Sequence, residues 1–575
     1  MTGIFSRKIF FVCFLSICNF PIQFSFADTL SASSDAARQA EIIQRRAQQD
    51  MQRQFELDRQ SAKAPTHIDV PLPKKNTSQP QQKCWDIDTV DLQGVTVIQR
   101  GKISRLERKF SDRCIGAGDI QQLMSELTAL YIDKGYITAR VYLPQQDLTT
   151  KKLLLLVVEG QVQSVHEDND QHTIFLGTVL PGAEGHPFNL RDLEQALDQI
   201  NRLASNHATF TLEPGEQPGD SVLVMHNTPT NRWHVNLSYD NRGSESTGQN
   251  QIGASMGLDN LLGINDYLSI TQRRSQHYSD DYRGSESTSV SYIVPFGYAT
   301  FILMGATSMY DSPLYAPSGA VLNTHGETNQ ASARWDLVVY RGQYDQVTFS
   351  TQVTGKSTKS YLQDVLLEVS SRRLSTLDLD IQYNTRLGNG MFNASIGYTH
   401  GLKWWGALRD DKDASRLMPK AQFSTWRFTS GYYLPFSLAE KAMSLNSQLT
   451  AQYAEDRLYG SEQMSIGGMY TVRGLKDQSV AGDRGFYLRN DLSLHHPTEI
   501  AGYSATLRPY LGLDVGYVTN VDPDAQGGSM VGGTLGLAVV CGPISFDYFY
   551  AHTLQSPGVI EDTHGVNYFS VNVKF

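Results

Sequence analysis

The chain has 575 residues, too many for one ordinary domain, and a formal charge of −10 at pH 7. This acidic balance disfavours nucleic acid as a partner. Its 28 tyrosines, 24 phenylalanines and 47 glycines accompany long alternations of apolar and polar residues, a pattern typical of a transmembrane β-barrel rather than of membrane-spanning helices.

The first predicted element is a cleavable secretory signal peptide at residues 1–27. Arg7 and Lys8 precede a mostly apolar run, and Ser25-Phe26-Ala27 has the small-x-small pattern of a cleavage site. The apolar run is shorter than the ~20 residues that a membrane-spanning helix needs. We therefore expect an exported chain whose mature form is more acidic still.

A mostly polar helix is predicted in residues 28–61, because a thin apolar stripe recurs there every three to four positions. The stripe consists of Ala36, Ala40, Ile43, Ala47, Met51 and Phe55. Two interpretations stay open: a solvated periplasmic helix, or a plug that threads a polar channel. Residues 62–83, rich in proline, lysine and glutamine, are predicted to be an extended linker.

Cys84 and Cys114 are predicted to form a disulfide, because an exported chain meets an oxidising compartment. Two further cysteines leave with the signal peptide, and Cys541 stands alone. A zinc site would need two more ligands at short spacing, and none flank the pair. No metal and no cofactor are therefore expected.

Two small α/β units with the order β-α-α-β-β are predicted next, at 84–160 and 161–228. In the first, the predicted elements are a strand from Val90 to Val97, a helix near 103–110, a helix from Asp119 to Gly135, and strands at 137–143 and 153–158. In the second, they are strands at 161–166, 207–213 and 220–227, with helices near 172–179 and 190–204. A sheet edge in such a unit can accept an extended peptide; the alternative is a passive spacer.

Residues 229–575 are predicted to form the barrel. Strand-like runs number about seventeen, and the even strand count of single-chain bacterial barrels leads to 16 antiparallel strands if 364–386 is one strand. Tight turns are expected at 295–298 and 342–345, and long loops at 311–327, 406–420 and 460–485. A barrel of this size leaves an aqueous lumen. Its last strand alternates apolar residues up to Phe575.

The most distinctive stretch is a glycine-rich loop that carries one arginine, Gly467-Gly468-Met469-Tyr470-Thr471-Val472-Arg473-Gly474-Leu475. Downstream, Gly512-Leu513-Asp514-Val515-Gly516 has the pattern of a strand. Because the neighbouring apolar residues take the other face, Asp514 is predicted to point into the lumen. The two groups could meet there, although a lone Val-Arg-Gly is by default an ordinary surface loop.

Several strings resemble those of the TpsB transporters of two-partner secretion, in the BamA-like superfamily. They are Lys134-Gly135-Tyr136-Ile137-Thr138-Ala139-Arg140, Val158-Glu159-Gly160, Asp240-Asn241-Arg242-Gly243, Asp259-Asn260 through Gly263 to Asp266, Val472-Arg473-Gly474-Leu475 and Gly512-Leu513-Asp514-Val515-Gly516. The resemblance covers the mature chain, and the two α/β units resemble POTRA domains. Leu475 stands where an aromatic residue is usual in the superfamily.

This resemblance implies an outer-membrane pore that binds an unfolded TpsA-type exoprotein through its periplasmic POTRA domains and secretes it through the barrel. It implies that Arg473 pairs with Asp514, and that Phe575 ends a signal for the barrel-assembly machinery. Outer-membrane lipid is the expected surrounding. The cargo stays open between a haemolysin, an adhesin and a contact-dependent toxin. An outer-membrane assembly insertase of the same superfamily is the alternative.

An enzyme is disfavoured by the absence of several motifs. His-Glu-x-x-His does not occur, and Gly355-Lys356-Ser357 lacks the leading glycine of a phosphate loop, since Ser350 stands there. His495 and His496 are adjacent in a predicted strand and therefore face opposite sides. We expect no enzymatic activity.

Overall fold

A helix, two small α/β units and a closed barrel follow one another along the chain. The computed structural model describes residues 35–46, 49, 51–53, 55, 66, 68, 84–168, 173–217, 219–276, 282–316, 319–411, 413, 415–560 and 564–575. The predicted signal peptide and most of the predicted linker lie outside these residues. The predicted N-terminal helix is helical wherever it is described, and its residues 35–46 are called α1. None of the helices described is both long and apolar enough to cross a membrane.

The first unit packs two helices against a three-stranded sheet and has a second, two-stranded sheet. Its elements are β1 Cys84–Ile87, β2 Thr89–Gln93, α2 Arg100–Phe110, β3 Arg113–Gly116, α3 Ala117–Asp133, β4 Arg140–Tyr142 and β5 Lys152–Val158. The larger sheet has the order β2-β5-β4, with β2 and β5 parallel. Alternate leucines of β5 and one face of α3 form the core between them, as the period-two and period-3.6 patterns require.

Three predicted boundaries in this unit are wrong. The first strand ends at Gln93, because Gly94 has a φ of 80° and turns the chain. Helix α3 begins two residues before Asp119, whose carboxylate instead accepts the backbone N–H of the residue preceding the helix at 2.9 Å. The strand predicted at 137–143 is shortened to β4.

A disulfide joins β1 to β3, since Cys84 and Cys114 are bonded with their Cα atoms 5.4 Å apart. The two cysteines are 30 residues apart in sequence, so the chain-entropy model assigns the bond about 3–4 kcal/mol. Replacing both by serine should lower the free energy of unfolding of the first unit by about that amount. Hydrogen exchange in α2 and α3 would measure it, with the second unit as the internal control. Unchanged exchange in both units would contradict the prediction.

The second unit repeats the architecture with a short first helix. Its elements are β6 Val162–Glu167, α4 Leu176–Val179, α5 Leu190–Asn201, β7 Thr209–Pro214 and β8 Ser221–His226, with the sheet order β6-β8-β7. Both helices are shorter than predicted. One face of α5 fills the core through Leu193, Leu197 and Ile200. Its polar face is buried as well, through Glu194 and Gln195, because that face lies against the barrel.

The described residues from 233 to 574 form one closed antiparallel barrel of sixteen strands, which confirms the predicted fold class. The strands are β9 Trp233–Asp240, β10 Gln251–Asp259, β11 Tyr267–Ser275, β12 Gly284–Phe296, β13 Ala299–Tyr315, β14 Val321–Arg341, β15 Gln346–Leu362, β16 Val365–Leu366, β17 Arg372–Leu387, β18 Gly390–Leu402, β19 Ser424–Leu438, β20 Lys441–Ala454, β21 Met464–Ile466, β22 Val480–Gly482, β23 Arg484–Ile500, β24 Tyr503–Thr519, β25 Gly528–Cys541, β26 Ile544–Gln555 and β27 Val566–Lys574. Of these nineteen elements, three are not strands of the sixteen-stranded wall: β16 is a two-residue extension paired with the end of β15, and β21 and β22 pair with each other inside a loop.

Two predictions about barrel segments need correction. The stretch 364–386 is not one strand, because a short 3-10 helix, Glu368–Ser370, separates β16 from β17; the count of sixteen nevertheless holds. The loop predicted at 311–327 is mostly strand, since β13 continues to Tyr315 and β14 starts at Val321. The other two predicted loops lie between strands, as do the tight turns after β12 and β14.

Side chains alternate between the outer surface and the lumen along the wall. On β24, Leu511 and Leu513 are 58% and 51% exposed, whereas Asp514 is fully buried. The pattern follows from the period of two in a strand. Polar and charged residues therefore line the inside, and apolar residues form the outer belt.

Candidate functional site

Residues 455–483, between β20 and β23, carry Arg473 and are called the arginine loop. This loop folds back into the barrel. Its β21–β22 hairpin packs an apolar cluster against the inner wall. The cluster consists of Met464, Ile466, Val472, Leu475, Val480, Val518, Met530 and Ile560. Leu475 is 3% exposed within it, so leucine packs well at a position where the superfamily usually has an aromatic side chain. This apolar contact fixes the loop inside the lumen.

Arg473 meets two acids of the inner wall. Its Nε donates to Asp514 Oδ2 at 2.6 Å and its Nη2 to Asp514 Oδ1 at 2.7 Å, a bidentate pair. Nη2 also donates to Asp491 Oδ1 at 2.7 Å, and the Arg473 backbone N–H donates to Asp514 Oδ2 at 3.0 Å. The guanidinium thus has partners on both β23 and β24. Arg473 and Asp514 are 2% and 0% exposed, so neither charge is hydrated. Each charge is compensated by the other instead.

The glycines of the strand motif provide the space for this pair. A Cβ on Gly512 would collide with the Arg473 guanidinium, and one on Gly516 would lie 2.7 Å from Val472 Cγ2. On the loop itself, Gly474 has a φ of 134° and approaches Thr553 closely. The Gly-x-Asp-x-Gly pattern therefore places a carboxylate between two openings into which the loop fits.

Sequence reasoning missed three members of the site. Asp491 and Arg489 lie on β23, and Arg489 donates to the Met469 carbonyl oxygen at 3.1 Å. A Cβ on Gly532 of β25 would collide with the Arg473 carbonyl oxygen. The available signal was the alternation of Arg489 and Asp491 on the face of a predicted strand opposite its apolar residues.

Helix α1 lies in the lumen and is hydrogen-bonded to the arginine loop. Arg46 Nη1 lies 3.1 Å from Asp477 Oδ1, and Arg46 Nη2 donates to the Lys476 carbonyl oxygen at 2.7 Å. Arg45 Nε donates to the Gly460 carbonyl oxygen at 2.7 Å, at the start of the same loop. The helix and the loop therefore share one set of polar contacts.

The same helix contacts the opposite wall. Glu41 pairs with Arg372 at 2.8 Å, and Gln44 donates to Ser360 Oγ at 2.6 Å. The apolar stripe packs on inward-facing apolar residues. Ile43 lies near Tyr310, and the described residues Met51 and Phe55 join a cluster with residues from the last part of β12 and the first part of β13. Of the two interpretations left open by the sequence, the lumen position is the one observed.

The Asp259–Asp266 string is the turn through which the second unit docks onto the barrel. Asn265 is fully buried; its amide donates to the Phe175 carbonyl oxygen at 2.8 Å and accepts the Phe175 N–H at 3.3 Å. Asp259 accepts the Ser205 N–H at 2.8 Å. Arg202 donates to the Asn265 carbonyl oxygen at 2.9 Å. These contacts fasten the loops around α4 and α5 to the β10–β11 turn.

A second docking point centres on Arg341 at the end of β14. This side chain is 3% exposed and donates to Asp198 at 2.7 Å and Gln195 at 2.9 Å on α5. It also donates to the Thr66 carbonyl oxygen at 2.9 Å, while the Thr66 N–H donates to Asp198 at 2.8 Å. This one arginine of the barrel therefore binds both the second unit and a residue of the linker.

The Asp240–Gly243 string lies where β9 meets β27 and closes the barrel. The backbone register there is short, from Ser570↔Asp240 to Lys574↔Asn236. Beyond it, the Asn241 side chain donates to the Asn567 carbonyl oxygen and accepts the Phe569 N–H, both at 2.9 Å. This amide continues the ladder as a backbone unit would. Phe575, at the other end, exchanges backbone hydrogen bonds with Val235.

The strings in the first unit lie at its junction with the second. Gly135 ends α3, and its carbonyl oxygen accepts the Leu190 N–H at 2.8 Å, at the start of α5. Glu159 accepts hydrogen bonds from Thr96 and Tyr131. Desolvation acts to raise the pKa of Glu159, but these hydrogen bonds outweigh it and lower that pKa from its ordinary value.

One string has the letters of a hydrolase motif without its geometry. Gly253-Ala254-Ser255-Met256-Gly257 matches Gly-x-Ser-x-Gly but lies wholly within strand β10. A nucleophilic serine of that type needs a sharp strand-to-helix turn. The string therefore provides no catalytic serine.

The fold and site define an outer-membrane secretion pore of the TpsB class. The barrel is wide, the arginine loop folds into it, a helix lies in its lumen, and two α/β units dock at its tight-turn end. The model of the family described as haemolysin secretion/activation protein ShlB/FhaC/HecB matches residues 219–539. Models of the ShlB-type POTRA domain and of the POTRA domain match residues 85–160 and 161–214. The chain belongs to the ShlB/FhaC/HecB family.

Known relatives span nearly the whole chain. The outer membrane transporter CdiB of Dickeya dadantii is 30% identical over 89% of this chain and 90% of its own length. The hemolysin transporter protein ShlB of Serratia marcescens is 32% identical over 86% and 84%. The solved structure of CdiB from Escherichia coli is 28% identical, covers 96% of this chain and 99% of its own, and superposes with a TM-score of 0.81.

Family membership decides between the classes that the sequence left open. The protein is an outer-membrane transporter, with its barrel in the membrane and its POTRA domains in the periplasm, so the insertase alternative is not retained. The relatives are transporters rather than enzymes. The tight-turn end of the barrel, where the POTRA domains dock, is therefore the periplasmic end.

Proposed function

We propose that this transporter exports one large TpsA-type exoprotein, a haemolysin, an adhesin or a contact-dependent toxin, in unfolded form through the barrel. The names of the relatives, a hemolysin transporter and CdiB, support this range of cargo. The proposal assigns no catalytic step to the chain. The observation that carries it is α1 in the lumen, because a wide pore closed by a removable element fits intermittent passage of a chain.

Cargo capture is proposed at the open edges of the POTRA sheets. Among the described strands, β7 pairs only with β8, and β4 only with β5. The outer strand β7 is mostly exposed, with Leu212 at 43%. An extended segment of the exoprotein can add to such an edge through main-chain hydrogen bonds, with side chains resting on alternate positions.

Opening is proposed to occur by withdrawal of α1. Beside its apolar stripe, its contacts with the wall and loop are ion pairs and hydrogen bonds such as Glu41–Arg372 and Arg46–Asp477. Water in a polar lumen can replace these bonds at modest cost, since partly solvated pairs contribute about 0–1 kcal/mol each. The bidentate Arg473–Asp514 pair is better buried, and we propose that it keeps the loop attached while the helix leaves.

Deleting residues 29–61 should raise single-channel conductance in planar bilayers, because the lumen loses the helix that fills it. A double variant, Glu41→Ala with Arg46→Ala, should increase the frequency of openings without changing the fully open level. The matched control is Arg38→Ala on the same helix. Equal conductance of the deletion variant and the wild type would reject the plug.

Insertion and surroundings are also part of the proposal. The terminal Phe575 is 65% exposed at the seam between β27 and β9, where the barrel-assembly machinery could read it. The exposed Leu511, Leu513 and Leu535 belong to the outer belt, which is proposed to face outer-membrane lipid.

A further inference from the structure

A groove on the first POTRA domain has no part in the transport path described above. It lies between α2 and α3, has a volume of about 600 Å³, and is bordered by Arg191 of α5 and Gln343 of the β14–β15 turn. Ligand sites in proteins have volumes of about 300–1,000 Å³. The groove is therefore large enough for a small amphiphile.

The groove combines an apolar floor with a cationic rim. Leu106, Ala129, Leu130 and Ile132 supply the floor. The rim has Lys102, Arg105 and Lys109 from α2, an eleven-residue helix with five basic residues and one acid. This helix departs from the acidic balance of the whole chain. A charged head and an apolar body are what such a surface would select.

The carboxylates in the groove cancel only part of this positive charge. Glu126 is held by Lys109 at 2.6 Å, and Asp133 is exposed. Lys102 and Arg105 have no ion-pair partner in the described part of the chain. Two positive charges on the rim therefore remain available to an anion.

A buried arginine borders the groove but is already neutralised. Arg191 is 6% exposed, and its Nη1 donates to both oxygens of Glu194 at 2.7 Å. Its Nε is buried and has no hydrogen-bond partner among the described residues. The Arg191 charge is therefore held by Glu194, and its buried Nε is out of reach of a ligand in the groove, so an anion must rely on the cations of α2.

The groove also lies close to the membrane. Gln343 is three residues from Tyr340, which is 49% exposed on the outer surface, and three extended residues span about 10 Å. The headgroup layer on each side of a bilayer is about 5–8 Å thick. Tyr340 and Tyr344 are exposed at this rim, as aromatic residues are at membrane interfaces.

We propose that this groove binds one anionic phospholipid of the periplasmic leaflet, with the phosphate on Lys102 and Arg105 and an acyl chain along α3. The bound lipid would hold the first POTRA domain next to the barrel rim. An extended acidic peptide fits less well, because the walls are helices and offer no strand edge for main-chain pairing.

Native mass spectrometry of the full-length protein in detergent tests the proposal, with dioctanoyl phosphatidylglycerol as the probe. The wild type should bind one molecule more tightly than it binds dioctanoyl phosphatidylcholine. Lys102→Gln with Arg105→Gln should weaken phosphatidylglycerol binding about tenfold or more, since each cation contributes about 1 kcal/mol near an anionic headgroup. Ala129→Phe should weaken it by filling the apolar floor.

The matched control removes the same charge from the same helix outside the groove, through Arg100→Gln with Arg108→Gln. It should bind the lipid as the wild type does, and circular dichroism of every variant establishes folding. Equal binding by the Lys102→Gln/Arg105→Gln variant would overturn the proposal. So would equal binding of the two lipids, or displacement of the lipid by inorganic phosphate at the same concentration, which would make the site one for a free anion.

Discussion

Arg473→Ala is expected to abolish or sharply reduce secretion while the barrel still inserts into the outer membrane. The substitution removes the guanidinium from Asp514, a fully buried carboxylate. Breaking one partner of a buried pair costs about 3–5 kcal/mol. The apolar cluster and the sixteen-strand ladder remain, so the cost should fall on the loop rather than on the barrel. Export of the exoprotein into the medium and heat-modifiable migration of the barrel are the two measurements.

Two companion variants separate the loop's role from general damage. Arg457→Ala changes an arginine of the same loop whose pair with Asp522 is partly exposed, so secretion should stay near the wild-type level. Arg473→Lys keeps the charge but loses the bidentate geometry, and it should secrete poorly. Normal export by Arg473→Ala, with the barrel inserted, would discard the proposed role of the loop.

The pairing of Arg473 with Asp514 illustrates what a sequence can reveal. Alternation along the strand fixes which face Asp514 occupies, and a glycine on each side indicates a close approach. Sequence alone could not supply Asp491 as the second acid or Gly532 as the third opening, because both depend on how neighbouring strands are registered. Register is a tertiary property, set by pairs such as Arg489↔Asp514 across the ladder.

Periodicity predicted two α/β units and about seventeen strand-like runs, and the even-strand rule reduced the runs to sixteen, but how the units attach to the barrel was not predictable. The polar face of α5 has the pattern of a solvated helix, yet Glu194 and Gln195 are buried against the barrel. Nothing local distinguishes a polar face that meets water from one that meets another domain. The long β13–β14 hairpin was missed for a related reason: its polar residues beyond the lipid belt have the composition of a loop.

The position of α1 shows the same limit. Its composition fits water in the periplasm and water in a lumen equally well, so the alternatives stayed open. Only the partners Arg372, Ser360 and Asp477, which come from distant parts of the chain, distinguish them. Long-range polar contacts leave no periodic signal in the helix that makes them.

Deleting residues 84–228 is expected to stop export but to leave a conducting pore. The deletion removes both POTRA domains and with them the open strands β4 and β7, whereas every barrel strand is retained. Polar groups that now face the second POTRA domain, such as Arg341 and Asn265, would meet periplasmic water, which replaces their lost hydrogen bonds. The measurements are secretion, conductance in planar bilayers and pull-down of the exoprotein's N-terminal region.

A smaller deletion, of residues 84–160 alone, distinguishes capture from docking. It leaves the second domain in place against Arg341 and the β10–β11 turn, so the barrel keeps its periplasmic contacts and loses only the first domain. If capture needs both sheets, this variant should bind the exoprotein more weakly than the wild type but more strongly than the 84–228 deletion. Unchanged binding by the larger deletion would remove the POTRA domains from capture, and cargo recognition would then have to lie in the barrel and its loops.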